Sequence, residues 1–214
     1  HRHVREVLRA SEGDTLAVGR IGGQLGRGVI RSIDAHTLEL EVVLDRHPPP
    51  PHPLILTLAL PRPPSLRKVL QQATALGVKR FVLFASARVE KSYWQSTGLA
   101  DAALREQLLL GLEQAGDTRL PVIEHARRFR PFVEDVLPKL ADGAPILVAH
   151  PGKSAAAAAP RHAAARVLVI GPEGGLLDDE LERLDASGAQ RIGLGPRVLR
   201  VETAVVALLA RLAG

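Results

Sequence analysis

The sequence of 214 residues contains no cysteine, and this absence excludes several kinds of site. Disulfides, thiolate-bound zinc, iron–sulfur clusters and a cysteine nucleophile all require that residue. The eight histidines are scattered, with no pair at the spacing of metal ligands on a helix, so we predict no metal site. No apolar run approaches the ~20 residues that cross a bilayer, and residues 1–5 lack the apolar stretch of a signal peptide. We therefore expect a cytoplasmic protein without a membrane segment.

Two common nucleotide-binding motifs are also missing. There is no G-x-G-x-x-G between a strand and a helix, and there is no G-x-x-x-x-G-K-[ST]. The sequence therefore gives no indication of a cofactor bound through a pyrophosphate or triphosphate group.

The positive charge is concentrated in one stretch of the chain. The net charge is +5, yet residues 1–60 hold seven arginines against seven acids, and residues 131–214 hold nine basic residues against ten acids. Residues 62–130 hold twelve lysines or arginines against six acids. A local surplus of this kind favours a polyanionic partner, although an ordinary solvated surface has the same composition.

A run of prolines divides the chain into two patterns. The preceding residues predict short strands at 15–18, 28–33 and 37–44, with a turn at 34–36, as in a small β-barrel. Prolines at 48–51 and 53 fix φ and remove hydrogen-bond donors, so an extended connector is expected there. We therefore predict one domain over residues 1–52 and a second over residues 53–214.

Beyond the prolines, short apolar runs alternate with amphipathic stretches. Strands are predicted over residues 54–60, 80–85, 121–124, 146–149, 167–170 and 191–194. Helices are predicted over residues 65–76, 99–115, 132–140, 178–187 and 202–212. This alternation predicts an α/β domain with a mostly parallel sheet and helices on both faces. An alanine-rich tract at 154–159 and 163–165 is predicted to be helical or loosely ordered, without a function.

Three of the predicted strands end in loops rich in glycine and proline. The loops are His150-Pro151-Gly152, Gly171-Pro172-Glu173-Gly174-Gly175 and Gly195-Pro196. Ligands of a parallel sheet bind beyond the C-terminal ends of its strands. Glycine lets the backbone approach a flat ligand and offer its N–H and C=O groups, as recognition of an adenine edge requires. These loops are the predicted site, although one such loop alone is also a common tight turn.

The last predicted helix is apolar on every face over residues 203–210. A surface helix of a monomer has a polar side, so something must cover this one. Either a partner subunit in a C2 homodimer or the rest of the same chain meets that requirement.

Two motifs near the C-terminal end are long enough to be specific. They are Ile170-Gly171-Pro172-Glu173-Gly174-Gly175 and Leu194-Gly195-Pro196-Arg197-Val198-Leu199-Arg200-Val201-Glu202-Thr203-Ala204. Together they closely resemble the signature of the RsmE family of 16S rRNA uracil-N3 methyltransferases, which belongs to the SPOUT class. Shorter matches lie at residues 7–9, 13–14, 71–78, 86–88, 113–114 and 121. Ala75 and Asp117 depart from the family pattern, so no RNA-binding role is carried over to them.

The resemblance implies a fold, a cofactor and a substrate. A PUA-like β-barrel, without its first strand because family members begin upstream of His1, is expected before a SPOUT-type α/β domain with a deep trefoil knot. Three loops of the knot are expected to clasp S-adenosylmethionine, and a homodimer is expected to form through the knotted domain. The implied substrate is a uridine in 16S rRNA of the small ribosomal subunit.

The same resemblance assigns residues to the site. The cofactor positions are His150, Ile170, Gly171, Gly174, Gly175, Leu194, Gly195, Leu199, Arg200, Thr203 and Ala204. Arg200 is also the predicted catalytic residue, because its guanidinium can donate to a uracil carbonyl and offset the charge that develops when N3 loses its proton. A structural pair of Arg200 with Glu202 or Glu173 is the alternative.

RNA binding is predicted to rest on phosphate contacts and one stacking residue. Arg5 and Arg9 in the barrel, with Arg88 and Lys91, are candidates for phosphate contacts, and Trp94 is the only tryptophan and can stack on a base. Residues 127–130 carry three further arginines, and an exposed charged loop is the alternative for both groups.

Two other functions stay open at this point. One is a related SPOUT methyltransferase that acts on tRNA or on a ribose 2′-hydroxyl, although ribose methylases of the class carry a different, Asn-rich closing motif. The other is an RNA-binding or subunit-assembly factor that keeps the fold without catalysis.

Overall fold

The computed structural model describes residues 3–151 and 166–213, and the chain within them forms two compact units. The first unit contains the residues up to Pro49 together with Gly116–Leu120. The second contains Pro50–Ala115 and the described residues from Pro121 onward. The alanine-rich tract predicted within residues 154–165 lies outside the described residues.

The first unit is built on a three-stranded antiparallel sheet in the order β1-β2-β3. A π-helical turn at His3–Val7 precedes the strands, which are β1 (Thr15–Gly19), β2 (Leu25–Ile33) and β3 (Leu38–Arg46). The predicted turn between β2 and β3 forms because the Asp34 carboxylate accepts hydrogen bonds from the backbone N–H groups of His36 (2.6 Å) and Thr37 (2.7 Å).

A short segment from much later in the sequence completes the first unit. The backbone N–H of Gly22 donates to the carbonyl of Thr118 (2.8 Å), and the Thr118 hydroxyl donates to the carbonyl of Gly23 (2.5 Å). The Asp117 carboxylate accepts from the N–H groups of Thr118 (2.6 Å) and Arg119 (2.9 Å). Asp117, one of the two departures from the RsmE pattern, therefore shapes this segment.

The second unit contains a six-stranded sheet in which every neighbouring pair is parallel, as predicted. Its order is β6-β5-β4-β8-β7-β9. The strands are β4 (Leu54–Ala59), β5 (Arg80–Phe84), β6 (Val122–Ala126), β7 (Ile146–Ala149), β8 (Arg166–Ile170) and β9 (Gln190–Ile192). All five residues of β8 are buried, and since successive side chains point to opposite faces, both faces of this central strand are covered.

Helices connect the strands of this sheet. They are α1 (Pro63–Ala75), α2 (Asp101–Ala115), α3 (Phe129–Pro131), α4 (Leu137–Ala141), α5 (Asp178–Ala186) and α6 (Val201–Leu212), with 3₁₀ turns at Lys91–Gln95 and Thr97–Leu99 and a π-helical turn at Phe132–Val136. The sequence predicts Ser65 as the cap of this helix, and that was wrong, because Arg62 is the N-cap and Pro63 occupies the first helical position. Proline is preorganised there, and its missing N–H is one that a helix leaves unpaired anyway.

The core of the second unit includes buried phenylalanines as well as the strands. The rings of Phe84 and Phe132 stack with centroids 4.2 Å apart and planes 5° apart. Phe81, Phe84 and Phe132 are fully buried, so these rings fix the last turns before α4 against the sheet.

Candidate functional site

The loops that follow β7, β8 and β9 enclose a cavity of about 340 Å³. These three strands are neighbours in the sheet, so their C-terminal ends lie side by side. Three buried side chains contribute to the lining, namely Ile170, Leu181 and Leu208, each at most 4% exposed. The cavity thus combines a buried apolar wall with loop backbone, which suits a flat ring system with polar edges.

Most of the residues predicted to bind a cofactor line this cavity. They are His150, Ile170, Gly171, Gly174, Gly175, Leu194, Gly195, Leu199 and Ala204. Arg200 and Thr203 do not line it. Arg200 is the exposed N-cap residue of α6, and Thr203 is exposed on the first turn of that helix. The structure therefore brings the loop positions together and leaves these two outside the cavity wall.

The backbone of the three loops is held by short local contacts. The N–H of Gly175 donates to the carbonyl of Pro172 (2.8 Å), and Gly175 has a φ of 75° that favours glycine. The N–H of His150 donates to the carbonyl of Ile192 (2.7 Å), which ties the loop after β7 to the end of β9. These bonds form the loops without using the side chains of the cavity wall.

Arg88 lies in the cavity wall, although sequence reasoning assigned it to RNA. Its Nη1 donates to the carbonyl of Gly174, and a Cβ atom on Gly174 would come within 3.1 Å of the Arg88 Cδ. The match of residues 86–88 to the RsmE pattern was the signal that could have placed this side chain against the glycine loop.

A buried carboxylate fixes the approach to the cavity from α5. Glu180 is 4% exposed, and its two oxygens accept hydrogen bonds from the N–H groups of Ala87 (2.8 Å) and Leu177 (2.9 Å). Glu180 thereby joins the first turn of α5 to the loop that carries Arg88. Sequence reasoning missed it because it is one of five acids in a short helix, and its burial depends on contact with a loop about ninety residues earlier.

The two carboxylates offered as structural partners of Arg200 are engaged elsewhere. Glu173 Oε1 accepts from the backbone N–H of Arg62 (3.1 Å) and from its Nε (3.4 Å). Glu202 accepts from Lys68 Nζ (3.4 Å). Both contacts hold the site to the region around α1 and leave the exposed Arg200 guanidinium for another role.

The tryptophan predicted to stack on RNA lies in a small cluster of its own. The guanidinium carbon of Arg127 lies 5.1 Å from the centre of the Trp94 ring, and the His125 ring meets the same indole edge-on at 6.0 Å. Burial lowers the pKa of His125, and the positive charge of Arg127 lowers it further. We call Trp94, His125 and Arg127 the Trp94 cluster. It presents an aromatic face backed by a permanent positive charge.

The other predicted RNA-binding residues lie on both units. Lys91 is exposed in the same 3₁₀ turn as Trp94. Arg5 donates to the carbonyl of Ala35 (3.2 Å) in the first unit, and Arg9 adopts a positive φ of 52° there. Of the arginines at 127–130, Arg130 pairs with Glu134 (2.7 Å) one helical turn later.

Neither a metal cluster nor a membrane-spanning helix occurs within the described parts of the chain. No three histidines or acids lie together there in a way that suits a metal ion. Likewise, no helix among residues 3–151 and 166–213 has both the length and the apolar character needed to cross a bilayer.

Comparison with known sequences connects this site to RNA modification. Residues 48–213 match a family model described as an RNA methyltransferase domain. A ribosomal RNA small subunit methyltransferase E from Treponema pallidum is 30% identical over 213 residues, covering 97% of this chain and 80% of that protein. The protein of the same name from Mycobacterium tuberculosis is 29% identical over 212 residues, with the same coverage.

Comparison with solved structures shows the same fold in two proteins that hold a methyl donor. A Legionella pneumophila protein solved in complex with S-adenosylmethionine superimposes with a TM-score of 0.79 at 24% identity, covering 99% of this chain and 87% of that one. A ribosomal RNA small subunit methyltransferase E from Neisseria gonorrhoeae, bound to S-adenosyl methionine, gives a TM-score of 0.77 at 23% identity over 98% and 86% of the two chains.

Proposed function

Because the chain belongs to the ribosomal RNA small subunit methyltransferase E family, we propose that it methylates N3 of a uridine in 16S rRNA, with S-adenosylmethionine as the donor. One observation carries this proposal. The loops after three adjacent strands bring both long C-terminal motifs to a single cavity of about 340 Å³. That is the arrangement expected of a ligand site at the carboxyl edge of a parallel sheet.

The cavity fits the proposed donor in its chemistry. Its buried apolar wall suits the adenine ring and the aliphatic part of the molecule, and the backbone groups of the loops around Gly171 and Gly195 suit the polar edge of adenine. S-adenosylmethionine supplies an electrophilic methyl group when bound. The loops would hold the donor still, and most of the rate gain in such a transfer comes from positioning.

Arg200 is our proposed catalytic residue. It is exposed and lies between Leu199 and Val201, which both line the cavity. Its guanidinium stays protonated and can donate to a uracil carbonyl as N3 loses its proton, which stabilises the anion. Arg200→Ala should lower turnover at least ~100-fold, the loss typical of a missing oxyanion donor, and leave the affinity for S-adenosylmethionine within about three-fold. Unchanged turnover would exclude this role.

RNA binding is proposed to use the basic residues and the Trp94 cluster. Phosphate contacts from Arg5, Arg9 and Lys91 would make affinity fall steeply with salt. Arg88 would add a contact through the guanidinium N–H groups that its bond to Gly174 leaves over. Trp94 is the only tryptophan, so its fluorescence reports directly on its surroundings. We expect RNA to quench that fluorescence and Trp94→Ala to weaken binding by about ten-fold, since base stacking contributes ~1–3 kcal/mol. Titration with 16S rRNA fragments at two salt concentrations measures both effects.

We also propose features of the fold and assembly beyond the parallel sheet and the small antiparallel sheet. Residues 1–52 would be a PUA-like barrel for RNA, and residues 53–214 a SPOUT domain with a deep trefoil knot. The protein would act in the cytoplasm as a homodimer through the knotted domain. Thr203 and Ala210 are exposed within the uncharged stretch 203–210 of α6, which supports a partner subunit covering this side of the helix. Sedimentation equilibrium should give twice the chain mass.

Methyl transfer to small ribosomal subunits is the decisive experiment. Subunits from cells that lack the protein are incubated with it and S-adenosylmethionine carrying a labelled methyl group, and the modified nucleotide is mapped. We expect one 3-methyluridine in 16S rRNA. Label on a ribose 2′-oxygen, or label in tRNA when total tRNA replaces the subunits, would point to a different SPOUT activity. Calorimetry without any heat of cofactor binding would leave only an assembly role.

A further inference from the structure

A second cavity, of about 400 Å³, opens at the same edge of the sheet as the first. It lies between the segment after β4, the first turn of α1, the 3₁₀ turns at Lys91–Gln95 and Thr97–Leu99, and α2. We propose that this cavity receives the base of the target nucleotide, which is an unpaired pyrimidine. The proposal rests on the function proposed above and assigns its substrate a place.

The two cavities are neighbours because the strands beneath them are neighbours. Leu58 of β4 lies opposite Ile170 of β8, so Leu60 and Pro172, two residues further along each strand, leave the sheet side by side. Leu60 lines the second cavity and Pro172 lines the first. Adjacent strands are ~4.8 Å apart, so the segments that carry Leu60 and Pro172 begin side by side, and the two cavities open next to each other at this edge.

An ion pair forms the wall between the cavities. Glu173 lines the first cavity, and its carboxylate accepts two hydrogen bonds from Arg62, at 3.1 Å from the backbone and 3.4 Å from Nε. Pro61 and Pro63, on either side of Arg62, line the second cavity. This pair is largely exposed on the arginine side, so it is weakly held and can open toward a reacting pair of ligands.

The lining of the second cavity suits a heterocyclic base. Three leucines and three prolines lie in its lining, and Tyr93 adds an aromatic ring. A volume of about 400 Å³ lies near the lower end of the ~300–1,000 Å³ range of small-molecule sites, which is appropriate for one nucleoside. Enzymes that modify a base inside structured RNA hold it unpaired in a pocket of this kind, between apolar or aromatic side chains and a few polar groups.

Gln107 is the polar group best placed to recognise that base. It is 8% exposed although it lines the cavity, and its Oε1 accepts from the Gln71 side chain (2.7 Å). Because the carbonyl oxygen is already bonded, the Gln107 amide NH₂ is the group that can donate to a ligand. Its hydrogen bond to Glu106 Oε2 is long, at 3.4 Å. A uracil carbonyl is a suitable acceptor for it.

Close packing of two helices fixes that amide. Gly111 lies one turn beyond Gln107 on α2, and a Cβ atom there would come within 2.5 Å of the Gln71 carbonyl oxygen on α1. The helices can therefore approach closely only because residue 111 is glycine. This approach brings Gln71 and Gln107 into hydrogen-bonding contact and holds the donor in one orientation before substrate arrives.

Tyr93 places an aromatic ring at the wall. Its hydroxyl donates to Glu90 (3.0 Å), and partial burial together with that contact raises the pKa of the phenol. Tyr93 lines the second cavity together with Pro61 and Pro63, the residues on either side of Arg62. The ring can stack on a base that enters next to the methyl donor.

Two substitutions test the proposal in different ways. Gln107→Leu removes the donor and keeps the size of the side chain. Gly98→Leu fills the cavity, because a Cβ atom at Gly98 would lie 3.4 Å from Ser96 Oγ and 4.0 Å from Pro63 Cβ, both in the cavity lining, without a clash with backbone. Gln190→Leu makes the same chemical change as Gln107→Leu at an exposed position on β9 and serves as the control.

The readouts are turnover on small ribosomal subunits, subunit affinity by filter binding, and S-adenosylmethionine affinity by calorimetry. Both cavity variants should lower kcat/KM at least ~10-fold, the factor expected for one lost interaction of about 1.4 kcal/mol, and the control should match the wild type. Cofactor affinity should stay within about two-fold and subunit affinity within about three-fold, because phosphate contacts dominate the latter.

The outcomes separate this inference from the proposed function. A wild-type protein that transfers no methyl group contradicts the proposed function itself. An active wild type with both variants equally active shows that the base enters elsewhere. If the variants lose cofactor affinity in proportion to turnover, the second cavity only supports the structure of the first. That result also overturns the proposal. Gly98→Leu keeps the test valid if Gln107→Leu does not fold.

Discussion

The two edges of the six-stranded sheet differ in how their polar groups are used. At the carboxyl edge, glycine-rich loops line the first cavity, and side chains such as Tyr93 and Gln107 line the second. The first turn of α6 faces the first cavity through Val201 and Ala204. At the amino edge, side chains meet the other end of the same helix. His52 Nε2 donates to the carbonyl of Leu209 (3.2 Å), and Arg166 Nη1 donates to that of Leu212 (3.5 Å).

One end of α6 therefore contributes to ligand binding, and the other end contributes to stability. The last carbonyls of a helix have no partner within it, and a buried cation or imidazole N–H satisfies them and opposes the negative end of the helix dipole. Arg166, 5% exposed, makes such a contact at the amino edge. The amino edge is therefore closed by its own residues, whereas the carboxyl edge keeps its polar groups for a ligand.

The largest effect is expected at Glu180, which departs from this division because it is a buried structural carboxylate at the carboxyl edge. Glu180→Ala should lower the free energy of unfolding by about 1.5–3 kcal/mol, since it removes the carboxylate that accepts from the N–H groups of Ala87 and Leu177. Urea denaturation measures the loss. Glu182→Ala, an exposed change on the same helix, should alter stability by less than ~0.5 kcal/mol. Equal losses in the two variants would contradict the role of Glu180.

A pair of glycines sharpens the comparison. Gly175 in the cavity loop and Gly188 after α5 both have positive φ, at 75° and 85°. Alanine at either position should cost about 1–2 kcal/mol of backbone strain. Only Gly175→Ala should weaken S-adenosylmethionine binding, by about ten-fold, because only that strain distorts the loop around the ligand. Calorimetry on both variants decides, and equal affinities would mean that the loop does not grip the donor.

The amino edge should give the opposite result. His52→Ala removes the hydrogen bond to Leu209 and should lower the free energy of unfolding by about 1 kcal/mol. Cofactor affinity should not change, since neither His52 nor Leu209 lines the first cavity. Thermal melts with and without S-adenosylmethionine test both statements, and a loss of affinity would show that the two edges are coupled through α6.

The pH dependence of stability is the smallest expected effect. Burial lowers the pKa of His52 below its usual 6.5, and the charge of Arg166 lowers it further. The folded state thus binds a proton at His52 less readily than the unfolded state does. The stability that neutral His52 gives the fold is therefore fully present above about pH 6.5 and is lost as the pH falls below that value. Protonation would also place an N–H at Nδ1, which has no hydrogen-bond partner among the described residues.

His52→Gln is the control for this effect, because its amide can still donate to Leu209 but does not titrate. Between pH 7.5 and 5.5, the melting temperature should fall less steeply with pH for this variant than for the wild type. His125, whose pKa is also lowered, is unchanged in both proteins, so the difference between the curves belongs to His52. Identical slopes would refute the assignment.

The carboxyl edge was more predictable from sequence than the amino edge. Buried runs such as Val167 to Ile170 define strands locally, and the glycine and proline that follow them mark the cavity loops. His52 gave no such signal, because it is one histidine among prolines and its partner lies 157 residues away. Arg166 reads locally as one more arginine, and its burial follows only from the sheet order.

The second cavity was hidden for a related reason. It is made where α1 and α2 approach, and the bond between Gln71 and Gln107 depends on how two helices pack rather than on any spacing within either. The loops of the first cavity come from neighbouring strands that each carry their own signal. A site built between helices leaves none, so only the packed structure reveals it.

The small segment Gly116–Leu120 has a consequence for the order of synthesis. It belongs to the first unit although 66 residues of the second, Pro50–Ala115, precede it in the chain. A ribosome must therefore translate α1, β5 and α2 before it delivers Thr118, whose hydroxyl and carbonyl bind the loop between β1 and β2. The amino-terminal sheet can form early, but its last contacts arrive only after α2 has been translated.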